Sequence, residues 1–413
     1  MRPAPPEKTG MTGARPGRTG FDPESEDAGP VEISIVMPCL NEADTIAICL
    51  EKAFTTLRSN GIAGEVVVAD NGSTDGSAEI AEKMGARVVR VLEKGYGCAL
   101  MGGIAAARGR YVVMGDADDS YDFREIPRFL AKLREGYELV QGCRLEGGGG
   151  TVLPGAMPFL HRWFGNPFFS LLARRWFGAP IHDVYCGLRG FTKELYERLD
   201  QRCTGMEFAT EMIIKASLGG ARMLDVPVTL HPDGRRVHAP HLRTFRDGWR
   251  TLRFFLLFSP RWLFLVPGGV LIALGLAGYA LALPGMRIQG VTLDAHTLLF
   301  ASLALICGYQ SIIFAVFTKI FAIRERLLPP DPRLMRLFKH VDLETGLLAG
   351  VATMFVGLCL LAGAVNQWRL ARFGPLEYAQ TMRWVIPGVT LTTLGFQTIL
   401  SSFFMSVLGM ARR

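Results

Sequence analysis

Short apolar runs alternate with amphipathic stretches up to about residue 255, and long apolar runs take over after Arg261. Val31–Met37, Glu65–Asp70, Arg87–Leu92 and Arg110–Met114 have the length and β-branched content of strands. Between them the period changes. A helix is predicted from Asp44 or Thr45 to about Arg58, with Ile46, Leu50 and Phe54 on one face. Asn71-Gly-Ser-Thr-Asp-Gly76 is turn chemistry followed by a second helix. Lys94-Gly-Tyr-Gly97 reads as a flexible loop into a helix of small residues, Ala99–Ala107. Strand and helix in alternation predict a largely parallel sheet with helices on both faces. Ligands of such sheets bind at the carboxyl ends of the strands. Asn41, Glu42, Asp70, Gly95, Gly97, Asp116 and Asp118 all fall there.

The second half has a different pattern. Four stretches without formal charge, near 262–284, 296–318, 345–367 and 384–410, are long enough to span a bilayer. Lys319, Arg324, Arg326, Arg333, Arg336 and Lys339 lie between the second and third stretches, so that loop is expected on the cytoplasmic side. Four spans then return Arg412-Arg413 to the side of the N-terminal domain, although the opposite loop also carries Arg369, Arg372 and Arg383. Gly268, Gly269, Gly275 and Gly278 allow close helix packing, and the spans either anchor the chain or help assemble a homo-oligomer. Ahead of them, Leu242, Phe245, Trp249, Leu252 and Leu256 recur at helical spacing beside Arg243, Arg246, Arg250 and Arg253. Such a helix lies in the headgroup plane. Met157–Phe177, aromatic with interspersed arginines, is either a core helix pair or an interfacial segment, the latter being preferred. Gly147–Gly150 ahead of it is expected to be a flexible hinge.

Composition refines this division. The 413 residues carry a formal charge of +7, and 49% are hydrophobic, concentrated in the second half. The eight cysteines have no zinc spacing and are expected to be reduced and mostly buried. Residues 1–30, rich in Pro, Gly and charge, have no apolar stretch of a secretory signal and read as a disordered tail. Nucleic acid is not an expected partner.

The chemistry gathers at Gly115-Asp-Ala-Asp-Asp-Ser120. In extended chain Asp116 and Asp118 point the same way. Hard oxygen ligands at a strand end suit Mg2+ or Mn2+ holding a diphosphate. Gly95-Tyr-Gly97 is not followed by the third glycine of a dinucleotide fingerprint, so that fold is disfavoured.

Val36-Met-Pro-Cys-Leu-Asn-Glu42, Val68-Ala-Asp-Asn-Gly-Ser-Thr-Asp75, Lys94–Gly97 and Gly115–Asp118, in that order, resemble the family 2 glycosyltransferases. Asp183-Val-Tyr-Cys-Gly-Leu-Arg189, Gly205–Glu211 and Pro240–Trp249 extend the resemblance to polyprenyl- or dolichyl-phosphate sugar synthases, over roughly residues 31–260. The resemblance implies the GT-A fold and inverting transfer from a nucleotide sugar. It implies that Pro38, Asn41, Glu42 and Asp70 line the nucleotide pocket, and that Asp116 and Asp118 hold the metal, with Ser120 as a further ligand directly or through water. Arg144 resembles a family arginine near the phosphates, and Arg189, a further candidate catalytic residue, ends a segment resembling Ser-Gly-Phe-Arg in which Cys186 stands where a serine is usual. Glu211 is either catalytic or paired with a basic residue, and Arg235 and Arg236 are candidate phosphate clamps.

A lipid phosphate acceptor is already an anion and needs no strong base. An alcohol acceptor would need one, from Asp119, Asp183 or Glu211. The expected organisation is therefore a tail (1–30), a GT-A domain (31–238), an interfacial segment (239–260) and a four-helix membrane region (261–413). The expected activity is transfer of a hexose from UDP- or GDP-sugar to polyprenyl phosphate, with the catalytic domain on the cytoplasmic face of the inner membrane. Rival readings are a glycan- or glycolipid-extending transferase and a non-catalytic membrane scaffold. Gln380-Thr-Met-Arg-Trp384 matches a pattern of processive polysaccharide synthases, but its predicted place on the outer side makes it a chance match.

Overall fold

The computed structural model describes residues 30–235, 244–288, 291–325, 327–332 and 342–409. Residues 1–29, Arg236, Leu242, Arg243, Arg326, Arg333, Arg336, Lys339 and Arg412-Arg413 lie outside the described residues, as do the side chains of Phe245 and Arg246.

The N-terminal half is built on a seven-stranded sheet. Its first elements are β1 (Ile33–Cys39), α1 (Ile46–Ser59), β2 (Gly64–Asp70), α2 (Ser77–Lys83), β3 (Arg87–Arg90), α3 (Tyr96–Ala106) and β4 (Tyr111–Met114). Then follow α4 (Ile126–Arg134), β5 (Leu139–Cys143), β6 (Thr151–Val152), α5 (Asn166–Leu172), β7 (Arg189–Thr192), α6 (Lys193–Leu199), α7 (Glu207–Leu218), β8 (Met223–Pro227) and β9 (Thr229–Leu230). The strand order is β3-β2-β1-β4-β7-β5-β8, with β6 and β9 forming a small separate pair. β1 to β4 pair in parallel, and so do β5 and β8, but β7 runs antiparallel to both of its neighbours. The expectation of a largely parallel sheet needs that exception. The excursion between β5 and β7 leaves and re-enters at the same sheet edge, so β7 must run back.

Side-chain alternation divides the core. Ile33, Ile35 and Met37 face α1 and α4, whereas Val36, Val67, Val112 and Met114 face the side covered by α3 and α7. α3 begins at Tyr96 rather than Ala99, so Tyr96 and Gly97 belong to its first turn instead of a loop. Gly147–Gly150 is a packed turn rather than a hinge: a Cβ on Gly150 would come within 2.1 Å of the Cys143 carbonyl oxygen. Five of the cysteines, Cys39, Cys49, Cys98, Cys143 and Cys186, are buried free thiols of this half.

The aromatic segment has two unlike faces, one packed in the core and one exposed. His161–Gly165 and Ala173–Phe177 are wider π-helical turns flanking α5. Phe169, Ala173 and Phe177 enter the core, while Phe159, Trp163, Phe164 and Phe168 are exposed. α8 (Thr244–Phe258) docks on the inward face. Phe255 is fully buried and stacks on Phe169 and Phe177 at centroid distances of 5.9 and 5.5 Å. The buried stripe of α8 thus runs through Thr251 and Phe255, and Trp249, expected on the apolar face, is exposed with Arg250, Arg253 and Leu257.

Among the described residues four helices are long and apolar enough to cross a membrane: Arg261–Ala282, Ala295–Arg324, Leu343–Leu370 and Tyr378–Gly409. Small residues set their spacing, as expected. A Cβ on Gly275 would come within 2.8 Å of the Ala301 carbonyl, and one on Gly357 within 2.5 Å of the Thr392 nitrogen. Arg383 of the Q-x-x-R-W match lies near the start of the fourth helix and donates to Asp294 at 3.3 Å.

Candidate active site

The carboxyl ends of β1, β2 and β4 meet along one edge, with Cys39 opposite Asp70 and Val36 opposite Met114. The loops leaving β1 and β2 are bonded to each other. Asn41, at φ 60°, accepts from the Thr74 nitrogen at 2.8 Å and receives its own backbone support from Ser73 at 3.0 Å. Glu42 nitrogen donates to Ser77 Oγ at 2.8 Å, and Ala43 nitrogen to Asp75 at 2.9 Å. Asp70 turns inward and accepts from the nitrogens of Gly72 and Ser73, so it shapes this turn. Pro38 closes β1 beside it, half-buried.

Asp116 and Asp118 follow β4. Asp116 Oδ1 accepts from the Tyr96 hydroxyl at 2.9 Å, which is why α3 has to start at Tyr96. Burial, reinforced by Asp118, pushes Asp116 up to about 7. Asp118 Oδ1 accepts both the nitrogen and the hydroxyl of Ser120, at 3.1 and 2.5 Å. Ser120 thus orients Asp118, and its Oγ lies beside the carboxylate pair with its lone pairs free of that donation. Arg235 bridges Glu42 (2.8 Å), Asp118 (3.2 Å) and Asp233 (3.2 Å). Burial raises Glu42, while Arg235 pulls it back down. Residues 193 positions apart are thus brought to one point, and the cluster joins Glu42, Asp116, Asp118, Ser120 and Arg235.

Two half-buried carboxylates with hard oxygens suit a divalent cation whose remaining coordination positions are filled by other ligands. Among the described residues no group of three or more His, Cys, Asp or Glu side chains can hold a metal alone.

The remaining candidates stand elsewhere. Gly95 and Gly97 are pressed on the Cys203-Thr204 backbone: a Cβ on either would lie 2.4 Å from a carbonyl oxygen, Thr204 O and Cys203 O respectively. They serve that packing instead of offering an open phosphate loop. Gly95 also needs its φ of 143°, and its nitrogen donates to Asn71 Oδ1 at 2.9 Å. Arg144 binds buried Asp183 through Nε (2.7 Å) and Nη2 (2.9 Å), and its Nη1 reaches the Tyr121 hydroxyl at 3.4 Å. Arg189 is fully buried and donates to Gln141 Oε1 (2.6 Å), Ala209 O (2.6 Å) and Val184 O (3.4 Å), so it ties side chain and backbone together in the core. Burial lowers it to about 10.

Glu211 is not among the site groups. One of its oxygens pairs with Lys215 at 2.6 Å, and the other accepts from the Arg202 and Cys203 nitrogens. Asp119 pairs with Lys52 at 2.6 Å. The roles of Tyr96, Tyr121, Asn71 and Asp75 were missed in the sequence. The Asn71–Asp75 turn signal was the one available pointer.

The carboxylate-tipped strands, the interlocked loops after β1 and β2 and the long apolar helices come together in one chain. Residues 34–200 match the glycosyl transferase family 2 model, and residues 316–409 match the glycosyltransferase family 2 C-terminal transmembrane region. The low-salt glycan biosynthesis hexosyltransferase Agl6 of Haloferax volcanii is 35% identical over 378 residues, which are 91% of this chain and 89% of that protein. The chain belongs to glycosyltransferase family 2. It is a multi-pass membrane glycosyltransferase with a GT-A-type domain ahead of four candidate transmembrane helices. A dolichyl-phosphate hexose transferase of the same organism is 35% identical over 48% of this chain and 82% of its own length. The undecaprenyl-phosphate 4-deoxy-4-formamido-L-arabinose transferase of Salmonella paratyphi B is 29% identical over 49% of this chain and 61% of its own length.

Proposed function

We propose that this glycosyltransferase moves a hexose from a UDP- or GDP-sugar to a polyprenyl phosphate, with inversion, on the cytoplasmic leaflet. The observation that carries the acceptor class is the state of the three candidate bases. Asp119 is paired with Lys52, Asp183 with Arg144 and Glu211 with Lys215. An alcohol acceptor has to lose a proton to a base, whereas a phosphate oxygen arrives ionised. The names of the dolichyl- and undecaprenyl-phosphate relatives support the same class.

The loops at Asn41–Glu42 and Asp70–Asp75 form the nucleotide rim. Asp116 and Asp118 would hold Mg2+ or Mn2+, with Ser120 fixing the rotamer of Asp118. The ion, when bound, offsets charge that develops on the leaving diphosphate. Arg235, beside Asp118, adds a fixed cation to the same region. Tyr96 keeps Asp116 pointing into the cluster. Arg144 and Arg189 support the wall around Tyr121 and the 184–187 backbone. The membrane helices keep the domain beside a lipid acceptor.

The test offers purified enzyme, with its donor sugar, matched polyprenyl phosphate and polyprenol. Transfer to the phosphate alone is the expected result. Transfer to polyprenol at a comparable rate would overturn the phosphate-acceptor reading.

A further inference from the structure

The second membrane helix, Ala295–Arg324, has a neighbour on each flank. Toward the first span it packs through glycine: a Cβ on Gly308 would come within 2.8 Å of the Gly268 carbonyl oxygen. Toward the fourth span, Tyr309 bonds Thr398 at 2.6 Å. Higher and lower contacts keep step with that one. Tyr279 bonds both Ser302 and Thr390, and Phe317 meets Phe404 edge-on at 4.7 Å. The second and fourth spans therefore run parallel.

A third face of the second span is left uncovered. Phe300, Leu303, Phe314 and Phe321 are 46–73% exposed, and Cys307 and Gln310 are exposed with them. Phe300, Cys307, Phe314 and Phe321 recur every seven residues, and Leu303 and Gln310 each follow three residues after the first two. That is the a and d spacing of a helix seam. Its period of about 3.5 residues stays on one face where two helices wind around each other.

Gln310 is the polar side chain in this ridge. It stands midway along the helix, about 20 Å from either end, and so at the centre of a hydrocarbon layer about 30 Å thick. Gln397 of the fourth span donates to its Oε1 at 2.9 Å. That bond leaves the pair incomplete. Among the described residues Gln310 Nε2 has no acceptor, and Gln397 Oε1 is buried without a donor. Hydrocarbon supplies neither, so a lipid-facing amide is unfavourable until a polar partner arrives.

The partner must present a group that both donates and accepts, at mid-bilayer depth, on an apolar ridge of matching length. Gln310 and its own ridge meet that description. Copies of one chain share one topology, so their second spans run parallel. A two-fold axis along the membrane normal then sets the two Gln310 side chains at equal depth.

We propose that two copies of this chain pair through their second membrane helices, with Phe300, Leu303, Cys307, Gln310 and Phe314 in the seam. The two Gln310 amides bond each other across the axis. Cys307 lies one turn before Gln310 and faces its own counterpart. Cys359, also an exposed thiol, belongs to the third span. It stands two residues beyond Gly357, which is pressed on Thr392 of the fourth span, and so points away from the bundle. One thiol thus marks the seam and the other a lipid-facing surface. The pairing does not depend on the acceptor class proposed above.

The test oxidises membranes holding the full chain with copper phenanthroline and resolves the products on non-reducing gels. Wild type and Cys359→Ser should give a dimer band of similar yield, and Cys307→Ser should lose it. Energy transfer between donor- and acceptor-labelled pools in detergent reads the affinity. Gln310→Leu should weaken self-association by roughly threefold or more, and Gln310→Asn should recover part of the loss. The melting temperature of each variant guards against a folding artefact.

A dimer formed through Cys359 as readily as through Cys307 would reflect random collision and overturn the proposal. Energy transfer without a Cys307 dimer would move the contact to another face, and neither signal would mean that lipid covers the ridge. Affinity unchanged in Gln310→Leu would remove the amides from the interface. Each of these results overturns the pairing as stated.

Discussion

Glu211 illustrates what a carboxylate does at the scale of one residue. Its pair with Lys215 is buried, with both side chains under a tenth exposed. It also ties down the Arg202 and Cys203 nitrogens, just ahead of the Cys203-Thr204 carbonyls on which Gly95 and Gly97 rest. Glu211→Ala leaves a buried lysine without its counter-ion and should cost about 3–5 kcal/mol, read as a fall in thermal midpoint. Activity per folded molecule should largely survive, and an intact midpoint with lost turnover would assign Glu211 to the chemistry instead.

Asp116 gives the opposite case. Its folded value of about 7 lies above the ordinary 3.8. Its contribution to the stability of the chelator-treated protein is therefore complete below about pH 4 and is lost as pH rises through 7. Asp116→Asn removes that loss. The thermal midpoint of the variant should exceed wild type by more at pH 8 than at pH 5, whereas a gap independent of pH would show that Asp116 is not strained. The placement of Asp116 and Asp118 was legible in the sequence because a strand end and two-residue spacing fix direction. The burial of Arg189 and Glu211 was not, since a motif names a residue without saying whether its strand or helix turns it toward the pocket or the core.

At the scale of elements, the strands β1 to β4 could be read from alternation and turn chemistry, but the reversal of β7 could not. Its four residues carry no directional signal, and direction follows from the path between β5 and β7. The same holds for α8. Periodicity found a helix with arginines beside apolar positions, yet the docked face is set by Phe169 and Phe177, far away in sequence. Phe255→Ala should leave a cavity at that junction and destabilise the protein by about 3–5 kcal/mol. Limited proteolysis should then cut within α8 sooner than in wild type. Unchanged cleavage and midpoint would mean that α8 is held mainly by other contacts.

At the scale of the whole molecule, the membrane region was the most legible part, because bilayer thickness demands long apolar runs whatever the fold. Truncation after residue 258 removes all four candidate spans and leaves α8 with exposed Trp249, Arg250, Arg253 and Leu257. The shortened chain should leave membranes on alkaline carbonate washing and keep a salt-sensitive peripheral attachment. Retention after the wash would contradict the assignment of the anchor to these helices. The stack of Trp176 on Trp262 packs the catalytic half against the first of these helices.

The proposed reaction is cation-dependent transfer of one hexose to a lipid phosphate at the Asp116–Asp118 cluster. The most direct measurement incubates the purified full chain with radiolabelled UDP- and GDP-hexoses and polyprenyl phosphate, with Mg2+, with Mn2+ or with chelator. Asp118→Ala, matched to wild type in circular dichroism, is the control. The expected product is a lipid carrying one sugar from one donor, formed only with the cation, with a loss of roughly a hundredfold or more in Asp118→Ala. A product that forms equally in chelator, or equally with Asp118→Ala, would contradict it.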